Sequence, residues 1–215
     1  FRRVLFRSVS FLGGDLDRPV VMGCLYNVRP FRTKDLPYID VLSEALNNPL
    51  RMLLGWYAAG PLIVPPSSLL LSYWFVGAYF MAIKRFAEYR EIGDRARAAA
   101  YRRSFAYYNE QRLLTSIVFH AAAAMLFLGA FTMRYRVELL LAYPLVALVM
   151  AIYLDIAFRE NSAAQAPEKL HREPRLMAAV LACALAIGVL CFVDVPIARK
   201  VFGPAVRSLQ GATTP

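Results

Sequence analysis

The chain has 215 residues, 59% of them hydrophobic, and its 25 Lys and Arg against 15 Asp and Glu give a net charge of +10. Mean hydropathy is +0.44, and it comes from long uncharged runs without a polar face at helical period, which excludes a soluble helical bundle. The basic residues lie in short loops between those runs rather than along one groove, which excludes a nucleic-acid binder.

Residues 1–8, FRRVLFRS, read as a translated sequencing adapter joined to a gene fragment and are set aside; the true N-terminus is then expected to be missing. Residues 9–198 form the predicted transmembrane helical domain. GGDLDRP (13–19) is a loop, and the apolar piece 20–28 is too short to cross a membrane alone. Residues 29–37 make a basic loop bounded by proline. The first predicted span, 38–59, has a polar first half and an apolar second half. GPLIVPP (60–66) is an uncharged turn, and the aromatic-rich second span covers 67–83.

Residues 84–112 are a long polar connection with good helix formers in DRARAAAYRRSFAYYNEQR. Three further spans follow at 113–133, 137–158 and 176–197, each about the length a helix needs to cross ~30 Å of hydrocarbon. A flexible tail, 199–215, closes the chain. Cys24, Cys183 and Cys191 have no metal-ligand spacing and read as small apolar residues. The fold class is therefore all-α, a polytopic membrane helical bundle.

Loop charge sets the orientation. Loops 26–37, 84–112 and 159–175 hold three, eight and four Lys or Arg, whereas the alternate connections 60–66 and 134–136 hold none and two. Positive loops stay cytoplasmic. The polar half of 38–59 and both loops flanking it in function, 29–37 and 84–95, are thus expected at one membrane face.

Three groups of residues at that face suggest chemistry. Tyr26, Arg29, Arg32 and Lys34 offer donors suited to phosphate, although a basic juxtamembrane loop also serves lipid headgroups. Asp40, Glu44, Asn47 and Arg51 are spaced four, three and four apart, so they share one helical face. Ionisable residues within a span need pairing or a water-filled cavity, and a cytoplasm-facing cavity is the reading preferred here. Lys84, Glu88 and Glu91 repeat at helical spacing in KRFAEYREIGDR, with Asp94 close by; those carboxylates could take Mg²⁺ with substrate phosphate, or form a solvated salt-bridged helix end.

YNVRPFRTK (26–34) resembles the Tyr-Ser-x-Pro-Pro-x-Arg-x-Lys signature of the UbiA superfamily of intramembrane prenyltransferases, with Asn27 and Arg29 where the signature has Ser and the first Pro. Asp40 and Arg51 stand where that family has an acidic residue and an arginine. YFMAIKRFAEYREIGDR takes the place of its second aspartate-rich motif, and KRFAE is similar to the decaprenyl-phosphate phosphoribosyltransferase branch.

The resemblance implies the last part of a nine-helix fold, about five full spans and part of a sixth. It implies catalytic positions at Asp40, Asn47 and Arg51 and diphosphate binding by Tyr26, Arg32, Lys34, Lys84 and Arg85. It implies Mg²⁺ held by Glu88, Glu91 and Asp94. The expected reaction is transfer between a polyprenyl (di)phosphate and an aromatic or sugar-phosphate acceptor, in a bacterial inner membrane, with no nucleic acid partner. The family's Asn-Asp-x-x-Asp-x-x-x-Asp motif does not occur in the chain, so this stretch alone is expected to be inactive. The alternatives are a polyprenyl-phosphate phosphoribosyltransferase of the same fold, a transporter, and a non-catalytic isoprenoid-binding protein.

Overall fold

A computed structural model describes residues 33–59, 63–159, 162–165 and 167–202. Tyr26, Arg29, Arg32, the apolar piece 20–28 and the adapter-like residues 1–8 lie outside the described residues. Among the described residues every regular element is helical. After a short 3-10 turn at Thr33–Asp35 come α1 (Ile39–Ala45), α2 (Asn47–Ala58), α3 (Ser67–Ile92), α4 (Arg95–Tyr101), α5 (Glu110–Tyr135), α6 (Tyr143–Ala157), α7 (Pro174–Phe192) and α8 (Pro196–Phe202).

The predicted span 38–59 is divided between α1 and α2 at Leu46. Pro49 supplies a reason: it has no N–H to return to the Ala45 carbonyl, and its ring crowds that carbonyl. The predicted span 67–83 is the first two-thirds of α3, which runs on for 26 residues through Lys84, Arg85, Glu88, Arg90 and Glu91. Gly93, at φ 66, ends α3 in the left-handed conformation that costs glycine nothing. Asp94 then caps α4 by accepting the Ala96 N–H at 2.9 Å, and Asn109 caps α5 by accepting the Arg112 N–H at 2.7 Å.

Three helical stretches are long and apolar enough to cross a membrane: Glu110–Tyr135, Val137–Ala157 and Pro174–Phe192. They match the predicted spans 113–133 and 137–158 closely. The third stops short of the predicted 176–197, and a new helix, Pro196–Phe202, begins inside the end of that predicted span and runs into the predicted tail. Their outer faces are apolar and open, with Leu126, Leu181, Leu185 and Val189 exposed and Phe192 at 90% exposure. A protein in water would bury such a surface, whereas hydrocarbon solvates it.

α5 runs antiparallel to α3, with Ser72 donating to the Ala124 carbonyl at one end and Arg90 near Glu110 at the other. α6 runs parallel to α3: the Tyr79 hydroxyl donates to the Met150 carbonyl at 2.6 Å, and Arg90 donates to the Phe158 carbonyl at 3.0 Å. Trp74 Nε1 ties α3 to the Leu42 carbonyl of α1 at 2.9 Å. The buried core is concentrated at one end of this arrangement. Ile83 and Phe86 from α3, Phe105 and Tyr108 from the connection, Leu113 and Ile117 from α5, and Ile156 from α6 form it together. The connection 93–109, the polar end of α3, α1 and the segment after α6 all meet there.

Candidate functional site

The polar half of α1 faces the last third of α3 at this end. Asp40 lies one residue into α1 and is fully buried, at 0% exposure. Four groups converge on it. The Tyr108 hydroxyl donates to Oδ1 at 2.8 Å and the Ser104 hydroxyl approaches Oδ2 at 3.4 Å. Arg102 Nη2 is 3.4 Å from Oδ2 and Arg85 Nε 3.5 Å from it. Such convergence is what allows a carboxylate to remain in an apolar interior, since an unpaired buried charge would be prohibitively costly.

Arg85 is itself buried, at 3% exposure, and its guanidinium spans three carboxylates. Nη1 meets Glu88 Oε2 at 2.9 Å, one turn along α3, and Nη2 meets Glu44 Oε2 on α1. Arg85 and Arg102 thus stand against Asp40, Glu44 and Glu88. The planar fork of arginine suits this role, because its donors point in fixed, different directions.

The strand of backbone entering α1 is fastened to the same place. Tyr38 adopts φ 64, uncommon for a residue with a side chain, and its N–H donates to the Tyr108 hydroxyl. The Tyr107 and Tyr108 rings meet the Tyr38 ring edge-on, at centroid distances of 6.0 and 5.5 Å. The Tyr108 phenol is pushed well above its ordinary pKa, first by burial and then by the negative charge of Asp40, so it stays a donor.

The expected site residues divide clearly. Asp40, Arg85 and Glu88 come together, joined by Glu44. Asn47 is exposed and its amide folds back onto the Glu44 carbonyl at 3.1 Å. Arg51, a turn further along, is exposed on α2. Lys34 belongs to the 3-10 turn Thr33–Asp35 that leads into α1, and Lys84 is half-buried beside Arg85 on α3. Tyr26 and Arg32 are outside the described residues.

The Mg²⁺ set does not fit. Glu88 is bound to Arg85, Glu91 is exposed, and Asp94 faces the N-terminus of α4 as its cap. Among the described residues no three His, Cys, Asp or Glu side chains are grouped closely enough to hold a metal ion.

Arg102, Ser104, Tyr108 and Tyr38 were not among the expected site residues. The signal for one of them, Tyr108, was present: Tyr101, Phe105 and Tyr108 recur at helical spacing, and Phe105 and Tyr108 are 0% and 1% exposed. Near a membrane surface such a run equally suits an interfacial face, so pattern alone does not choose between burial and lipid contact.

The chain matches no family model, no curated protein and no solved structure. The residue pattern and the geometry therefore carry the functional reading by themselves.

Proposed function

We propose that this chain is an integral, multi-pass membrane transferase of the UbiA type. It acts between a polyprenyl (di)phosphate and an acceptor at the cytoplasmic face of a bacterial inner membrane. One juxtaposition supports the reading above the rest. Asp40 stands where the family has an acidic residue after its YNVRPFRTK-like loop, KRFAE is similar to another motif of the same family, and Arg85 of KRFAE reaches Asp40 and its neighbour Glu44, 41 residues and more away in sequence.

The prenyl tail lies along the apolar helices, and its phosphate head sits at the polar end beside Lys34 and Lys84. Ionisation of the allylic C–O bond leaves the electron pair on the departing diphosphate, and the acceptor captures the carbocation and releases its displaced proton to solvent. Cations held in a low-dielectric site stabilise the charge of that leaving group without solvent reorganisation. Asp40, Glu44 and Arg85 act on this chemistry by fixing α1 against α3, which sets where the loop before α1 meets the polar end of α3. Mg²⁺ belongs to the reading through the resemblance, not through Glu88, Glu91 and Asp94. KRFAE favours a second reading within the same fold, in which the lipid phosphate accepts a ribosyl phosphate from phosphoribosyl diphosphate.

Membranes containing the enzyme, supplied with radiolabelled polyprenyl diphosphates or phosphoribosyl diphosphate and candidate acceptors, distinguish these readings. A labelled covalent product with one donor class identifies the branch. Lys34→Ala should lower transfer at least ~100-fold, the loss of about 2.7 kcal/mol of charge stabilisation, with the protein still inserted. Wild-type turnover in that variant, or uptake of labelled solute into proteoliposomes without any covalent product, would refute the transferase.

A further inference from the structure

The connection 93–109 has two sides, and the site uses only one of them. Ser104, Phe105 and Tyr108 are buried, and Arg102 reaches inward to Asp40. Arg95, Arg97, Tyr101, Arg103 and Tyr107 are exposed, Tyr101 at 68%. Arg97 and Tyr101 are four residues apart and share one face of α4. From Tyr101 the rings run on through Phe105 and Tyr108 to Tyr107, at centroid distances of 6.2, 6.2 and 6.5 Å. The Arg112 guanidinium closes the run, 4.2 Å from the centre of the Tyr107 ring.

The outward side is basic without compensation. The connection holds four arginines and a single acid, Asp94, whose carboxylate is taken up by the α4 cap. Among the described residues Arg95, Arg97 and Arg103 have no ion-pair partner. What lies next to this surface decides the kind of anion it meets. Arg112, in the first turn of α5, is followed on the same face by Phe119 and Leu126, seven and fourteen residues on. Those two are 61% and 69% exposed, on a helix long and apolar enough to cross a membrane. The basic surface therefore continues directly into a hydrocarbon-facing stripe, so it lies at the depth of the headgroups. Guanidinium groups bind phosphate oxygens through paired N–H bonds, and tyrosine suits a layer that is apolar on one side and wet on the other.

We infer that the outward side of the connection 93–109, with Arg112, is a binding surface for the phosphate headgroups of anionic lipids in the membrane that the chain crosses. The connection then holds Asp40 from its inner side and the lipid from its outer side. The inference does not require the transferase reading, and either can fail while the other stands.

Photocrosslinking in nanodiscs tests it, with the full chain and phosphatidylglycerol or phosphatidylcholine carrying a diazirine beside the headgroup, and labelled peptides mapped by mass spectrometry. Phosphatidylglycerol should label residues 95–112 about fivefold more than phosphatidylcholine, the equivalent of ~1 kcal/mol, which is what one arginine contributes near an anionic surface. Arg95→Gln, Arg97→Gln and Arg103→Gln together should abolish that preference while leaving phosphatidylglycerol labelling of residues 168–175 unchanged. Lysine at the same three positions should keep most of it, and excess inorganic phosphate should not displace the lipid. If the triple glutamine variant fails to insert, Arg97→Gln alone, at an exposed position, should still lower the preference. Equal labelling by the two lipids in wild type would overturn the inference, as would a preference that survives the glutamines or falls equally at residues 168–175. Displacement of the lipid label by a soluble acidic peptide would assign the surface to that partner and overturn it as well.

Discussion

Replacing Tyr108 by Phe removes one oxygen atom and two hydrogen bonds, the 2.8 Å donation to Asp40 and the acceptance of the Tyr38 N–H. A hydrogen bond to a charged group contributes ~1.5–3 kcal/mol and a neutral one ~0.5–1.5 kcal/mol, so Tyr108→Phe should cost about 2–4 kcal/mol. For a chain of this size that is a fall of roughly 4–16 °C in melting temperature. Asp40→Ala should cost about 3–5 kcal/mol, because it also deprives Arg85 and Arg102 of an anion they share. The double variant removes the phenol–carboxylate bond only once. Its cost should therefore fall short of the sum of the singles by about 1.5–3 kcal/mol. Thermal or SDS unfolding of the solubilised protein, followed by tryptophan fluorescence, measures all four species. A coupling below ~0.5 kcal/mol would mean the two side chains act independently and would refute the site geometry.

Alkaline unfolding provides a separate check on Tyr108. Its folded pKa is raised, so its contribution is whole below the ordinary phenol value of 10.0 and is lost as pH climbs through the raised folded value. The stability advantage of wild type over Tyr108→Phe should hold from pH 7 to 9 and shrink above about pH 10; an advantage that shrinks below pH 9 would contradict the assignment. Gly77→Ala should be costly because its Cβ would come within 1.9 Å of Asn48 Nδ2. Overpacking of this kind costs about 1–3 kcal/mol. Asn48→Ala in the same chain should recover most of it, as read by melting temperature. At the far end of the bundle, Arg136 donates to the Leu190 carbonyl at 3.1 Å and pairs with Asp194 at 3.2 Å and with the buried Glu138 at 3.8 Å. Arg136→Ala should destabilise by about 1–3 kcal/mol through loss of its bonds to the Leu190 carbonyl and Asp194, yet leave transfer per folded molecule unchanged. A selective loss of transfer at full stability would move the functional site to that end.

Much of the candidate site was legible because helical periodicity is local. Asp40 and Glu44 lie on one face of α1, and Arg85 and Glu88 are a turn apart on α3, so each pair follows from spacing alone. Their partners do not. The reading of Glu88, Glu91 and Asp94 as one carboxylate set assumed a helix continuing past Ile92, but Gly93 ends α3 and turns Asp94 into the cap of the next helix. The continuous span 38–59 likewise assumed that an apolar composition outweighs Pro49. Among the described residues, the helix instead divides there.

The sequence by itself determined which stretches suit hydrocarbon. Apolar transfer free energy accumulates residue by residue along one segment, so the stretches 110–135, 137–157 and 174–192 need no partner to declare themselves. It also pointed to one end for the basic connections 84–112 and 159–175, where Arg90 reaches the Phe158 carbonyl and Gln165 the Ala87 carbonyl. Only the tertiary structure decided what the charged residues of that end are for. Asp40 meets Tyr108 across 68 residues of chain, and Glu44 meets Arg85 across 41. Whether an arginine near three acids binds a phosphate, faces solvent or neutralises those acids depends on which helices lie side by side. Here α1 lies against α3, and the buried guanidinium of Arg85 donates through its two Nη atoms to Glu88 and Glu44 of the protein itself.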